Sequence, residues 1–274
     1  MNKIFKAISL VAAAALCTGA LAGCGGTSEK QDEVSSEQTT EAASDVLVMG
    51  TNAEFQPFEF VTTNGGVVDD FAGIDIEIAK RIADNAGKEL KVSDMQFDGL
   101  IAAVSTKKVD FVAAGMTAND ERRQSVDFSD TYYVAEQVII VAPDDDSIKS
   151  AADLKNDKKV GVVLGYTADS IVTEDLGIAE KNINRATRAL DIVQDVKNGK
   201  LDAVVVDSYT GKALAEKNGL KVVEDPDAFE AEEYAIAVRK GNTELLDIIN
   251  STLAEMKENG EIEALSEKYS EIQE

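Results

Sequence analysis

The chain has no histidine. That absence removes Ser-His and Cys-His nucleophilic sites and most zinc sites, because those chemistries draw on imidazole. Cysteine is nearly as scarce. Only Cys17 and Cys24 occur, both within the first 24 residues. Positive charge is thin as well: 27 Lys and Arg face 51 Asp and Glu, for a formal net charge of −24 over 274 residues. Such a balance argues against nucleic acid and against docking on an anionic membrane through a basic face. It reads as a solvated acidic surface and says little about a ligand.

What is present begins with a leader. Lys3 and Lys6 give a short positive region, and the apolar, small-residue run AISLVAAAALCTGALAG follows. The run is too short and too weakly hydrophobic for a membrane span and reads as a secretory signal over residues 1–23. Its end, Leu21-Ala22-Gly23-Cys24, resembles the bacterial lipoprotein signal. That resemblance implies a diacylglycerol on the Cys24 thiol and cleavage that makes Cys24 the first mature residue. Cys17 leaves with the signal, so no disulfide is expected and stability must come from the core. Residues 24–44 are rich in Ser, Thr, Glu and Gln without apolar periodicity, and read as a disordered tether.

Residues 45–274 alternate strand and helix signals, the mark of an α/β fold. DVLVMGT (Asp45–Thr51), ELKVSD, VDFVAAG (Val109–Gly115), EQVIIVAP, KKVGVVLG, LDAVVVD (Leu201–Asp207), LKVVED and EYAIAVRKG read as strands. Ile74, Ile78 and Ile82 lie four apart on one helical face, closed by Gly87. FDGLIAAVSTKK reads as a helix with Leu100, Ile101 and Val104 inward, and further helices are expected around 168–175, 190–198, 208–218 and at the C-terminal end. Leu100–Val112 and Ile192–Val204 share a helix, a lysine-containing corner, an aspartate (Asp110, Asp202) and a buried strand. The echo is either a chance likeness of helix-turn-strand units or a sign of two lobes of like architecture. Two α/β lobes leave a crevice at the carboxyl ends of their strands, where ligands bind.

The predicted strand ends carry a particular set of residues. Asn52 and Phe55 follow the first strand, Phe97 follows ELKVSD, and Thr117 and Arg122 follow VDFVAAG. Tyr166 and Thr167 follow GVVLG, and Asp207 ends LDAVVVD. Arg122 offers a planar fork of donors matched to a carboxylate, and Asp207 could neutralise an ammonium. Phe55 and Phe97 supply flat apolar walls. Together they complement a zwitterion, an α-amino acid. Taken singly, each has a plainer reading. Arg122 could pair with Asp120 or Glu121, Asp207 could cap the helix that begins at Ser208, and the two phenylalanines could be core. Arg123 reads as solvent-facing.

Six segments in order, GTNAEFQPFEF, GIDIEIAKRIADNAG, MQFDGLIAAVSTKKVDFVAAGMTANDERRQSVDFSDTYY, KKVGVVLGYTAD, KLDAVVVD and EEYAIAVRKGNTELLDIINSTLAEMKENGEIEALSEKY, resemble the polar amino acid-binding, family 3 solute-binding proteins of ABC importers. The resemblance spans nearly all of residues 45–274. It implies a type II periplasmic-binding-protein-like fold. Lobe 1 would comprise 45–133 and 234–274 and lobe 2 134–233, with crossings near 133–136 and 231–234. It also implies that Arg122 holds the ligand carboxylate with help from Thr117 and Thr167. Asp207 and the Gly115 carbonyl would hold the ammonium, and Phe55 and Phe97 would sandwich the side chain. Asn52 stands where binders of cationic amino acids and of glutamine commonly carry an acid. Val163 stands where the glutamine binder has a lysine, and Tyr166 where a small polar residue is common. These departures favour a neutral polar, sulfur-containing or apolar side chain over a cationic one.

The expected partners are therefore a free amino acid, an ABC permease and a membrane reached through the lipid. The protein is expected to act as a monomer, without nucleic acid, metal or cofactor, on the extracytoplasmic face of a single-membrane bacterium. Rival readings are a dehydratase of the cyclohexadienyl type on the same scaffold, with Glu54 or Asp169 as general acid, a module that senses ligand for a receptor, and a surface protein without ligand.

Overall fold

The computed structural model describes residues 44–270. The signal segment, Cys24 and all but the last residue of the tether lie outside the described residues. Two five-stranded sheets form the body. In the first, Val46–Thr51 lies between Glu89–Asp94 and Phe111–Val112, parallel to both. Ala237–Arg239 then runs antiparallel between Phe111–Val112 and Val126–Phe128. A strand from late in the chain thus sits inside a sheet built mostly from its beginning. In the second, Ile183–Ala186, Val160–Val163 and Ala203–Asp207 run parallel, and Gln137–Val141 lies antiparallel between Ala203–Asp207 and Lys221–Val223.

Burial explains the strand sequences. Both faces of the second sheet are covered, so its central strands are apolar throughout instead of alternating. The pleat still sorts them. Val138, Ile140, Val204 and Val206 pack with one cluster, and Ile139, Val141, Ala203 and Val205 with another that includes Leu154, Val172 and Phe229. In the first lobe, helix Ile74–Asn85 buries Ile74, Ile78 and Ile82 completely, each worth about 1.5–3 kcal/mol of transfer energy. Asp75 and Glu77 occupy its first turn, at the positive end of the helix dipole. Gly87, at φ 66°, stops it with its N–H on the Asp84 carbonyl. Helices Thr243–Glu258 and Glu261–Ser270 return to this same helix, where Asn85 bonds Thr252 and Arg81 bonds Glu261.

The internal echo has a structural meaning. Asp110 accepts from Val48 N at 2.7 Å and donates its own N–H back to the Val48 carbonyl. Asp202 does the same with Lys159, at 2.7 Å through its carboxylate. Each aspartate ties the start of its strand to the neighbouring parallel strand, one in each sheet.

Some elements differ from the sequence reading. The expected strand EYAIAVRKG is two strands, Glu232–Tyr234 and Ala237–Arg239. The chain changes partners between them: Glu232–Tyr234 pairs antiparallel with Tyr133–Ala135, while Ala237–Arg239 joins the first sheet. Only Phe111–Val112 of the expected Val109–Gly115 strand is paired. The helix expected around 168–175 is a short turn, Thr167–Ser170, that widens into a π-helical Ile171–Asp175. Ile101 is only half-buried, and Ala103 takes the inward position beside Leu100 and Val104.

Candidate functional site

The two sheets point the carboxyl ends of their parallel strands at each other, and the residues singled out above meet there. Phe55, Phe97, Gly115, Thr117 and Arg122 from the first lobe and Tyr166, Thr167 and Asp207 from the second line one small cavity, together with Ala114. Its volume is about 10 Å³, room for about one water. Asn52 does not line it but touches a residue that does: the Tyr166 hydroxyl donates to Asn52 Oδ1 at 3.3 Å.

Arg122 reaches this place because Asn119 caps the short helix Asp120–Arg123, accepting the Arg122 N–H at 2.9 Å. The guanidinium turns away from Asp120 and Glu121. Nη1 donates to the Thr117 carbonyl at 2.8 Å, and Nη2 crosses to the Gly165 carbonyl of the second lobe at 3.0 Å. Its Cζ lies 5.2 Å from the centre of the Phe97 ring. Burial draws its pKa down, while Glu232 and Asp207 draw it up. Arg123, exposed, lies over Phe128 instead.

Asp207 is 5 % exposed and stands at the N-cap position of the helix Ser208–Asn218, but its side chain makes no capping bond. Its Oδ1 accepts the Tyr234 hydroxyl. Burial, with Glu232 beside it, pushes its carboxyl up to about 7. Glu232 is a residue the sequence reading missed. It is buried on the two-stranded ribbon between the sheets and accepts Thr117 Oγ1 at 2.6 Å and Gln137 Nε2 at 3.0 Å. Thr167 Oγ1 donates in turn to Thr117 Oγ1 at 3.1 Å, so a row of hydroxyls runs from the second lobe to the ribbon.

The aromatic residues are arranged differently from the expectation. Phe55 and Phe97 do flank a slot, but the Tyr166 ring stands in it, 5.6 Å edge-on to Phe55 and 4.6 Å from Phe97. Phe55 also covers Gly115, whose φ of 51° and lack of a side chain bring it close: a Cβ there would lie 2.6 Å from the Phe55 ring.

Behind Gly115 lies a second missed group. Asp75 Oδ2 accepts the Gly115 N–H and the Tyr132 hydroxyl, both at 2.8 Å. Glu59, fully buried, stands beside it. Among the described residues both Glu59 oxygens and Asp75 Oδ1 have no hydrogen-bond partner, and a proton held between the two carboxyls would satisfy two of these three oxygens. Burial raises Glu59 well above the usual carboxylate range and Asp75 to about 6. The only sequence signal was an acid set among isoleucines in GIDIE, where a helix first turn already explained it. The two acids considered for catalysis are both engaged. Glu54 pairs with Arg188 at 3.0 Å and Asp169 with Arg185 at 2.8 Å.

Residues 47–272 match the family described as bacterial extracellular solute-binding proteins, family 3. The chain belongs to that family. The solute-binding protein is 39% identical to the arginine-binding extracellular protein ArtP of Bacillus subtilis over 266 residues, 95% of this chain and 96% of the relative. Among solved structures it resembles an ancestral arginine-binding protein bound to arginine, with a TM-score of 0.74 and 41% identity over 82% of this chain and 98% of the other. It also resembles the ancestral amino acid-binding protein AncCDT-1, a precursor of cyclohexadienyl dehydratase, with a TM-score of 0.75 and 38% identity over 83% and 96% of the two chains. The fold of the solute-binding protein is thus the type II periplasmic-binding-protein arrangement, two α/β lobes with a cleft between them.

Proposed function

We propose that the protein captures a free amino acid by closure of the two lobes and delivers it to an ABC permease. In this reading the ligand carboxylate takes the Arg122 fork in place of the carbonyls it now holds, helped by Thr167 and the backbone of Thr117. The ammonium goes to Asp207 and the Gly115 carbonyl, and the side chain enters beside Phe55, Phe97, Tyr166 and Asn52. Lobe 1 comprises 45–133 and 234–274 and lobe 2 134–233, and the ribbon of Tyr133–Ala135 with Glu232–Tyr234 serves as the hinge. Arg122 belongs to one lobe and Asp207 to the other, so only the closed form satisfies both ends of a zwitterion. That difference in affinity between open and closed forms is what drives closure.

The observation that carries the reading is the Nη2 bond of Arg122 to Gly165. It puts an arginine fork across the cleft, in one cavity with a buried carboxylate. The relatives support it by name, and the ion-paired state of Glu54 and Asp169 counts against an enzyme. An uncharged side chain is favoured over a cationic one, because Asn52 stands at the end of the slot and Glu54 is held by Arg188. Export, lipidation of Cys24, action as a monomer and residence on the outer face of the cell membrane complete the reading. A tethered protein would stay at high effective concentration near its permease.

A thermal-shift screen against the twenty amino acids and cystine tests it. A ligand at 100 times its Kd adds about 2.7 kcal/mol. The shift is expected in the wild type and lost in Arg122→Ala. An equal shift in both removes the carboxylate assignment.

A further inference from the structure

We infer that Tyr166 determines specificity in this cleft by filling the slot between Phe55 and Phe97, which restricts the ligand to short, uncharged side chains. The inference rests on the amino acid reading above and names the substrate class within it.

The backbone throws this ring across the gap. Gly165, at φ 80°, makes a turn that favours glycine, and Tyr166 follows in extended conformation just before the helix Thr167–Ser170. The side chain leaves the second lobe, and the contacts that hold it are on the first: Phe55, Phe97 and Asn52. It is 7 % exposed. The ring packs against both Phe55 and Phe97, so a long side chain can pass between those two rings only by displacing it. Expulsion breaks two ring contacts and takes the Tyr166 hydroxyl from Asn52.

Charge acts in the same direction. Glu54, in the segment that carries Phe55, is paired with Arg188 at 3.0 Å. At the Tyr166 hydroxyl a guanidinium or ammonium meets the Asn52 carboxamide and a phenol. Short uncharged side chains need neither expulsion of the ring nor a counter-ion.

Binding of L-alanine, L-serine, L-glutamine and L-arginine is measured by calorimetry on the wild type, Tyr166→Thr and Tyr166→Phe. The wild type is expected to prefer alanine or serine to arginine at least tenfold. Tyr166→Thr is expected to narrow that ratio at least tenfold by gaining glutamine and arginine. Tyr166→Phe keeps the ring, and is expected to keep the size preference within about threefold while its thermal midpoint reports folding. Wild type that binds arginine as tightly as serine, or a Tyr166→Thr profile equal to wild type, overturns the inference while leaving the amino acid reading intact. A Tyr166→Phe variant that loses the size preference overturns it too. No response of the wild type to any amino acid removes the reading and the inference together.

Discussion

The Tyr234 hydroxyl donates to Asp207 Oδ1, joining a residue of the ribbon between the lobes to the carboxylate at the end of a second-lobe strand. The bond is fully buried, so it favours the ionised form of Asp207 where burial disfavours it. Removing it leaves a buried carboxylate short of a donor. Tyr234→Phe is expected to lower amino acid affinity at least tenfold, in line with roughly 1.5–3 kcal/mol for a hydrogen bond to a charged group. Calorimetry at pH 7.5 checks this, and unchanged affinity would separate Asp207 from the ammonium.

The raised pKa of Asp207 predicts a pH dependence of binding. An ammonium binds its ionised form, and the free carboxyl sits at about 7 under burial and Glu232, opposed by the Tyr234 and Gln137 hydrogen bonds. Below that pH the protein must release a proton to bind. Affinity is expected to fall as pH falls from 7, approaching about tenfold per unit. Dissociation constants from pH 5 to 8 measure it, and Asp207→Asn should bind weakly with a flat profile.

Stability should run the other way. Asp75 titrates near 3.8 when unfolded and at about 6 when folded, and burial raises Glu59 well above the usual carboxylate range. The folded state therefore holds more protons over that window, and the stability these two carboxyls contribute falls as pH rises from about 4 through 6. Glu59→Gln puts an amide N–H where the shared proton lies. Its thermal midpoint is expected to drop less than wild type between pH 5 and 8. An equal or steeper drop would show that the pair does not share a proton.

Gly115→Ala should separate binding from folding. The added Cβ would lie 2.6 Å from the Phe55 ring, on a residue whose φ of 51° disfavours a side chain. Phe55 must move, and the Gly115 carbonyl with it. The expected outcome is an affinity loss of at least tenfold, with a stability loss of about 1–3 kcal/mol from overpacking. Denaturant unfolding and calorimetry on one preparation distinguish the two effects.

Much of the fold was legible along the chain. The isoleucines of helix Ile74–Asn85 and the glycine that ends it, and the apolar runs of both sheets, state their elements through periodicity alone. Strand ends are equally readable: seven of the eight residues picked from them line the cavity directly, with Asn52 one contact behind, and Gly115, named through the family resemblance, lines it too. Two things were not legible. Ribbon pairing is long-range, so the break after Tyr234 left no local mark. Glu232, Glu59 and Asp75 are acids in a chain full of solvated acids, and nothing local marks a carboxylate as buried.

Amino-acid order alone indicated most of the element types, the export-like leader and an arginine and a carboxylate at facing strand ends, because helical and strand periods and side-chain functional groups are local properties. Tertiary structure alone decided which acids are buried side by side, which carbonyls Arg122 holds, and that the slot between Phe55 and Phe97 is filled by Tyr166. Those depend on how two lobes meet across a gap, and desolvation and contact there are set by residues far apart in the chain.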